Sequence, residues 1–178
     1  KMNTIAIASG KGGTGKTTVA TNLAAAASSD GVKVSLLDCD VEEPNAGLFL
    51  NPVINRVVPV TTATPKLYEE KCNGCGLCAQ ICRSGAIAVV NDTVVVFAEL
   101  CDGCGGCWLV CPQKAIVKSS RRIGTVELGV AGEIDFARGT LKIGETMTPE
   151  VIRAVKKQVA DTELAIIDAP PGTACPAI

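Results

Sequence analysis

Apolar positions fall into two rhythms along the N-terminal part of the chain. Asn3–Ala8 centres on the unbroken run TIAIA, which predicts a short buried strand. Thr17–Ser29 instead brings Val19, Leu23, Ala24 and Ala27 round to one face at helical spacing, and Gly31 supplies the stop. Val32–Leu37 predicts a second buried strand, ending at Asp38. Strand, helix and strand in so short a stretch make a βαβ unit, so the fold class expected is α/β with a parallel sheet. Val57–Thr64 predicts a third strand, and strand-like segments return at Gly124–Val130 and Thr140–Ile143. Thr148, Pro149 and Glu150 predict a helix start, with a capping threonine, a first-turn proline and an acid, and the helix runs to about Val159. Leu164–Ile167 predicts another parallel-type strand, ending at Asp168 and followed by APPGT.

Between Tyr68 and about Ser120 the pattern is different. Cysteine and glycine dominate, and Lys71–Ile87 aligns with Leu100–Ile116 at an offset of 29 residues. Each copy carries C-x2-C-x2-C-x3-C: Cys72, Cys75, Cys78 and Cys82, then Cys101, Cys104, Cys107 and Cys111. Such a repeat is expected of a small module built by duplication. The organisation predicted is a nucleotide-type domain in two parts, residues 1–66 and 121–178, with a module at 67–120 inserted between them.

Composition narrows the chemistry. Hydrophobic residues make up 47% of the 178, enough for a buried core, and the net charge of −1 gives no basic footprint for nucleic acid. No run approaches the about 18 apolar residues of a membrane span. The opening KMNTIAIASGKGG runs straight into a glycine-rich loop and does not read as a secretory signal. Without an export signal, ten cysteines argue for metal binding over disulfides. There is no histidine, which excludes Ser-His-Asp and Cys-His mechanisms, haem ligation by histidine and a Rieske-type centre.

Two constellations carry the chemistry. Gly10–Thr18 reads GKGGTGKTT, a phosphate-binding loop placed between strand and helix. Gly10, Gly12, Gly13 and Gly15, with Thr14 and Thr18, let backbone N–H groups close around an anion; Lys16 would contact the terminal phosphates and the Thr17 hydroxyl would bind Mg²⁺. The eight cysteines are spaced for thiolate-held [4Fe–4S] cubes, with two four-cysteine zinc sites as the alternative. The spacing is that of bacterial two-cluster ferredoxins, in which the fourth cysteine of each run ligates the other cluster. That resemblance implies one cluster on Cys72, Cys75, Cys78 and Cys111, and a second on Cys101, Cys104, Cys107 and Cys82. Pro112 follows its cysteine as the motif requires, whereas Arg83 stands where a proline is usual.

GKGGTGKTT also resembles the deviant Walker motif of the superfamily that holds MinD, ParA and nitrogenase iron protein. The whole arrangement is similar to MinD-superfamily P-loop ATPases with an inserted two-cluster ferredoxin domain, relatives of the Mrp-type carriers. The resemblance implies MgATP, an ATP-sandwich homodimer and a Lys11 that reaches the partner's nucleotide; from the residues alone Lys11 could equally be a solvated loop residue. Asp38-Cys39-Asp40 and VEEPN look like switch I, with Asp38 near the Mg²⁺ water shell and Asp40 orienting the attacking water. Asp168 looks like the Walker B acid and APPGT like switch II, with Gly172 able to move. Cys39 is expected to pack under switch I and Trp108 to shield a cluster. Cys175 stands at the offset from Asp168 of a nitrogenase-type cluster ligand, with a structural thiol as the alternative. The family continues past the position of Ile178, which implies a truncated chain with its P-loop strand at an open sheet edge.

The function expected is ATP-driven dimer closure coupled to electron transfer toward an unknown donor or acceptor protein, in the cytoplasm of an anaerobic or microaerobic prokaryote. The alternatives are an iron–sulfur cluster assembly or carrier ATPase, and a MinD-like positional regulator.

Overall fold

The structure is a computed structural model that describes residues 2–159 and 161–172. The chain divides into two compact units, one made of the segments up to Val60 and from Ile123 onward, the other of Thr61–Arg122.

The first unit is built on β1 (Asn3–Ile7), α1 (Lys16–Ser29), β2 (Val34–Asp38), α2 (Ala46–Leu50), β3 (Val53–Leu67), β6 (Ile116–Ala131), β7 (Ile134–Leu141), α5 (Thr148–Lys156) and β8 (Leu164–Asp168). β3 and β6 also carry the chain into and out of the second unit. The strand order is β1-β8-β2-β7-β6-β3. β1, β8, β2 and β7 are parallel neighbours, but β6 and β7 pair antiparallel, so the sheet is mostly rather than wholly parallel. The reason is local: Gly132 takes φ 60° in the short turn between Ala131 and Ile134, which folds the chain straight back on itself. The 16-residue β6 contains the predicted Gly124–Val130 and extends it at both ends, whereas β7 meets the predicted Thr140–Ile143 only at its last two residues. β1 ends the strand order, paired among the described residues with β8 alone.

β2 is buried along its whole length, and its period of two decides what each side meets. Val34 and Leu36 join Ala20, Ala24, Ala46, Phe136 and Ile166 on the α1 face. Leu37 and Cys39 join Val41, Ile123, Val126, Val151 and Val155 on the α5 face. Helix α1 presents Ala20, Thr21 and Ala24 to the sheet, whereas Val19, expected on that face, is 53% exposed. Small side chains bring the helix close to the strands. At its end Gly31 adopts φ 82°, with Gly31 N–H donating to Ser28 O and Val32 N–H to Ala27 O, a glycine-closed terminus. α5 buries Val151, Ile152 and Val155 and carries Glu150 in its first turn and Arg153 and Lys156 in its last, in line with its dipole. It stops at Lys156, short of Val159. Thr148 is its first residue rather than its cap, because its hydroxyl donates instead to Glu42 Oε1 at 3.2 Å. Gly139 on β7 makes room for α5: a Cβ there would lie 2.7–3.0 Å from Val41, Val151 and Val155.

The second unit contains α3 (Leu77–Ile81), a hairpin of β4 (Ile87–Val90) and β5 (Thr93–Val96), and α4 (Gly106–Val110). Asn91 and Asp92 form the two-residue hairpin loop, both at positive φ (49° and 59°), as the twist of a tight antiparallel pair demands. The unit's core is small: Cys78, Ile87, Val94, Cys107 and Ile116 are buried, and Leu67, Trp108 and further cysteines pack against them.

Candidate functional site

The parallel strands place one site at their C-terminal ends, the usual ligand-binding edge of such a sheet. β1 runs into the glycine loop, which runs into α1. Gly15 precedes α1 at φ 86°, a conformation that excludes most side chains, and no hydroxyl caps the helix. A Cβ at Gly10, Gly12, Gly13 or Gly15 would meet nothing within 4 Å, so the loop surrounds open space rather than packed protein. Thr14 steadies the loop, donating to Ser9 Oγ at 2.8 Å, while Ser9 Oγ donates to the Lys11 carbonyl at 2.6 Å. Lys11 and Thr18 are exposed, Thr17 is half-buried, and Lys16 is buried at the first position of α1.

Asp38 and Asp168 are in register on the neighbouring strands β2 and β8. Both stand on the strand face that carries Leu36 and Ile166 toward α1, because each lies two residues further along. Both are fully buried. Asp38 accepts from Ala46 N–H at 3.0 Å and Asp40 N–H at 3.2 Å. Burial pushes its carboxyl up to about 7; the Ala46 N–H pulls down and the charge of Asp168 pushes up. Burial also raises Asp168, opposed by the Thr17 hydroxyl and the Lys16 charge, yet neither of its carboxylate oxygens reaches a hydrogen-bond partner at full geometry. Asp40 is half-buried and raised by burial too, with the Glu43 N–H and Lys16 acting against it. The structure thus gathers Lys16, Thr17, Asp38, Asp40 and Asp168 around the loop. Two buried carboxylates in adjacent register, one of them unpartnered, fit a divalent cation, and the glycine loop with Lys16 fits a polyphosphate.

The neighbourhood includes contacts to which the motifs assigned no role. Ser9 holds both the loop, through its hydroxyl, and Gly172, whose N–H donates to Ser9 O at 3.0 Å. Glu42 in the switch I segment is tied to Thr148 of α5, and Val41 O accepts from Leu141 N–H. Ser9 was signalled only by its position next to Gly10, and Val41 and Glu42 only by lying in VEEPN; the partners Leu141 and Thr148 had no signal as such. Cys39 lies in the core with its N–H on Asp168 O, and burial, then the Asp38 charge, pushes its thiol up to about 12, which makes it inert packing. Cys175 and Thr173 lie outside the described residues.

In the second unit the eight cysteines are sorted between two small pockets. Cys72, Cys75, Cys78 and Cys111 line one, and Cys82, Cys101, Cys104 and Cys107 line the other. The packing of α3 on α4 brings each fourth cysteine to the opposite run. Every described cysteine is a free thiol. Backbone N–H groups already point at sulfur: Gly103 to Cys101 Sγ at 3.4 Å and Ala115 to Cys111 Sγ at 3.3 Å. The two runs have matching electrostatics. Burial raises Cys78 and Cys107. Burial also acts on Cys82 and Cys111, but there it is outweighed: by the Ser84 hydroxyl and nearby N–H groups at Cys82, and by the N–H groups of Gln113 to Ile116 at Cys111. Among the described residues no three His, Cys, Asp or Glu side chains stand close enough to hold one metal ion. Trp108 packs half-buried against this cysteine core.

Among the described residues no helix is long and apolar enough to cross a membrane. Residues 5–168 match the CobQ/CobB/MinD/ParA nucleotide binding domain family. An uncharacterised protein of Methanocaldococcus jannaschii is 36% identical over 176 residues, which is 98% of this chain and 62% of that protein. An iron-sulfur cluster carrier protein of Synechocystis is 56% identical over 48 residues, and that of Escherichia coli K12 is 51% identical over 48. Each of those two matches covers 27% of this chain and 14% or 13% of the relative. The chain therefore spans less than two thirds of the length of these relatives.

Proposed function

The chain belongs to the CobQ/CobB/MinD/ParA nucleotide-binding domain family, and from that premise we propose that it is an ATP-hydrolysing iron–sulfur protein in which nucleotide-driven closure of a homodimer gates electron transfer to an acceptor protein. Within this reading the glycine loop binds the phosphates through its N–H groups and Lys16 neutralises the terminal phosphate. Thr17, Asp38 and Asp168 hold Mg²⁺ and its water shell, and Asp40 orients the attacking water. Lys11, exposed at the loop surface, is free to reach a partner's nucleotide. Gly172 donates its N–H to Ser9 O beside the loop, so a γ-phosphate bound there can bias it.

The observation that carries the redox half is the sorting of the cysteines into two matched four-sulfur cavities. Two [4Fe–4S] cubes, one per cavity, would supply one-electron chemistry. Four sulfurs on a single zinc would converge to about 4 Å of one another; sulfurs around a cube each meet a separate iron. Iron, sulfide and zinc analysis of the purified protein separates the two.

A second reading is favoured by the comparisons. Short stretches resemble proteins named iron-sulfur cluster carriers, and a carrier ATPase would hand its cluster on. Anaerobic iron and sulfide analysis with EPR, with and without MgATP, tests both. Two cubes per chain, retained on mixing with an apo-ferredoxin, and an ATP-dependent spectrum are expected. Transfer of iron to the apo-ferredoxin would establish the carrier instead, and zinc or colourless, iron-free protein would leave only a nucleotide hydrolase.

A further inference from the structure

The repeat copies a turn as well as a set of cysteines. Its 29-residue offset pairs Cys82 with Cys111, Ser84 with Gln113, and Gly85 with Lys114. The backbone keeps to this pairing. Cys82 and Cys111 each close their helix at φ −75°, with ψ 103° and 108°. Gly85 and Lys114 both take positive φ, 68° and 50°. Backbone N–H groups favour the charged sulfurs from matched places, Ser84, Ala86 and Ile87 at Cys82 and Gln113, Ala115 and Ile116, with Lys114, at Cys111. One side chain breaks the match. Ser84 Oγ lies 3.7 Å from Cys82 Sγ, within reach of a hydroxyl–sulfur hydrogen bond. At the other turn Cys111 Sγ accepts from the backbone, Ala115 N–H at 3.3 Å, while Gln113 lines the pocket. Ser84 is half-buried and lines the pocket of Cys82, Cys101, Cys104 and Cys107. In a free thiol either atom of the pair could donate. A sulfur bound to iron has given up its proton, so there the Ser84 hydroxyl must be the donor.

We propose that Ser84 is a positioning residue that acts through Cys82 Sγ and raises the reduction potential of the cube held by Cys82, Cys101, Cys104 and Cys107. The proposal rests on the reading of two [4Fe–4S] cubes. Reduction adds one electron and one negative charge to a cube, and no bond breaks. The negative charge is shared with the ligating sulfurs, so a hydroxyl proton aimed at one of them holds the reduced state better than the oxidised one. The hydroxyl keeps its proton throughout.

The test is anaerobic potentiometry of the whole chain with dithionite, followed by EPR, on the unaltered protein and on Ser84→Ala, Ser84→Thr and Ser84→Val. All three substitutions are neutral, so the surrounding charges, Arg83, Glu99, Asp102 and Arg121 among them, enter every measurement alike. Ser84→Ala should lower the potential of one cube and leave the other in place, and Ser84→Thr, which keeps the hydroxyl, should restore most of the drop. An unmoved potential in Ser84→Ala with two intact cubes overturns the proposal, and so does a drop in Ser84→Thr as large as in Ser84→Ala. If Ser84→Ala loses a cube, the comparison passes to Ser84→Thr and Ser84→Val, which share a shape and differ by the hydroxyl; equal potentials in that pair, or loss of the cube from both, overturn it. Fewer than two cubes in the unaltered protein takes down the underlying reading as well, whereas two cubes with an unmoved potential removes only the role of Ser84.

Discussion

The nucleotide unit has two aliphatic clusters on opposite faces of its sheet, whereas the buried core of the cysteine unit is three aliphatic residues and two cysteines. The first can draw its stability from apolar burial, at about 25 cal/mol per Å². The second has little to bury and carries its ligating groups where a core would be, so its fold and its cofactor are the same problem. In the nucleotide unit the candidate chemistry sits at the rim instead, with buried carboxylates that cost stability and, on the proposed reading, serve a cation. One unit is therefore expected to depend on its metal to fold, and the other to tolerate its absence.

The strongest break of that comparison is removal of iron under anaerobic conditions. Amides of residues 61–122 should lose their hydrogen-exchange protection while those of β2, β8 and α1 keep theirs; joint loss, or protection retained in both, would refute the contrast. Next in size, Lys16→Ala should slow ATP hydrolysis by about 10²–10³-fold with iron content unchanged, as measured by phosphate release and iron assay on the same sample. Coupled loss of iron would mean the two units are not separable in this way.

A smaller effect follows from Asp38, raised by burial from the ordinary 3.8 to about 7. The folded protein keeps a proton that the unfolded chain releases, so metal-free protein is most stable below the unfolded value. Stability then falls as pH rises through about 7, by up to about 4 kcal/mol. Denaturant midpoints between pH 4 and 8 should show this slope, Asp38→Asn should flatten it, and Mg²⁺ with nucleotide should offset it. The smallest contrast compares two glycines of the cysteine unit. Gly103 has φ 73° and a Cβ there would lie 2.9 Å from Thr62 Oγ1, while Gly85 has φ 68° and open space around it. Gly103→Ala should cost about 3 kcal/mol and Gly85→Ala about 1 kcal/mol, read from thermal loss of cluster absorbance; equal costs would show that crowding around the second cavity is not what fixes Gly103.

Much of this was legible from local pattern. The strands β1, β2 and β8, the helix α1 with its Gly31 stop, and the glycine loop are each specified within about a dozen residues by periodicity and backbone preference. Other features were not. Val19 fits the helical period but faces outward, because sheet geometry selected the smaller Ala20 and Ala24 for contact. The β4–β5 hairpin hid inside a segment dominated by its cysteines, although VVNDTVVV carries a two-residue turn between β-branched runs. Thr148 carried the signature of a helix cap, and a partner more than a hundred residues away took its hydroxyl.

The residue order by itself settled which groups are present and how they are spaced along the backbone, because glycine φ, strand alternation and the cysteine steps are short-range constraints. Only the tertiary structure decided which groups meet. It set Asp38 against Asp168, carried Cys82 and Cys111 each to the opposite run, and put Arg121 beside Cys101. Those encounters depend on strand register and helix packing between distant segments, and a local pattern cannot encode a distance that the rest of the chain must close.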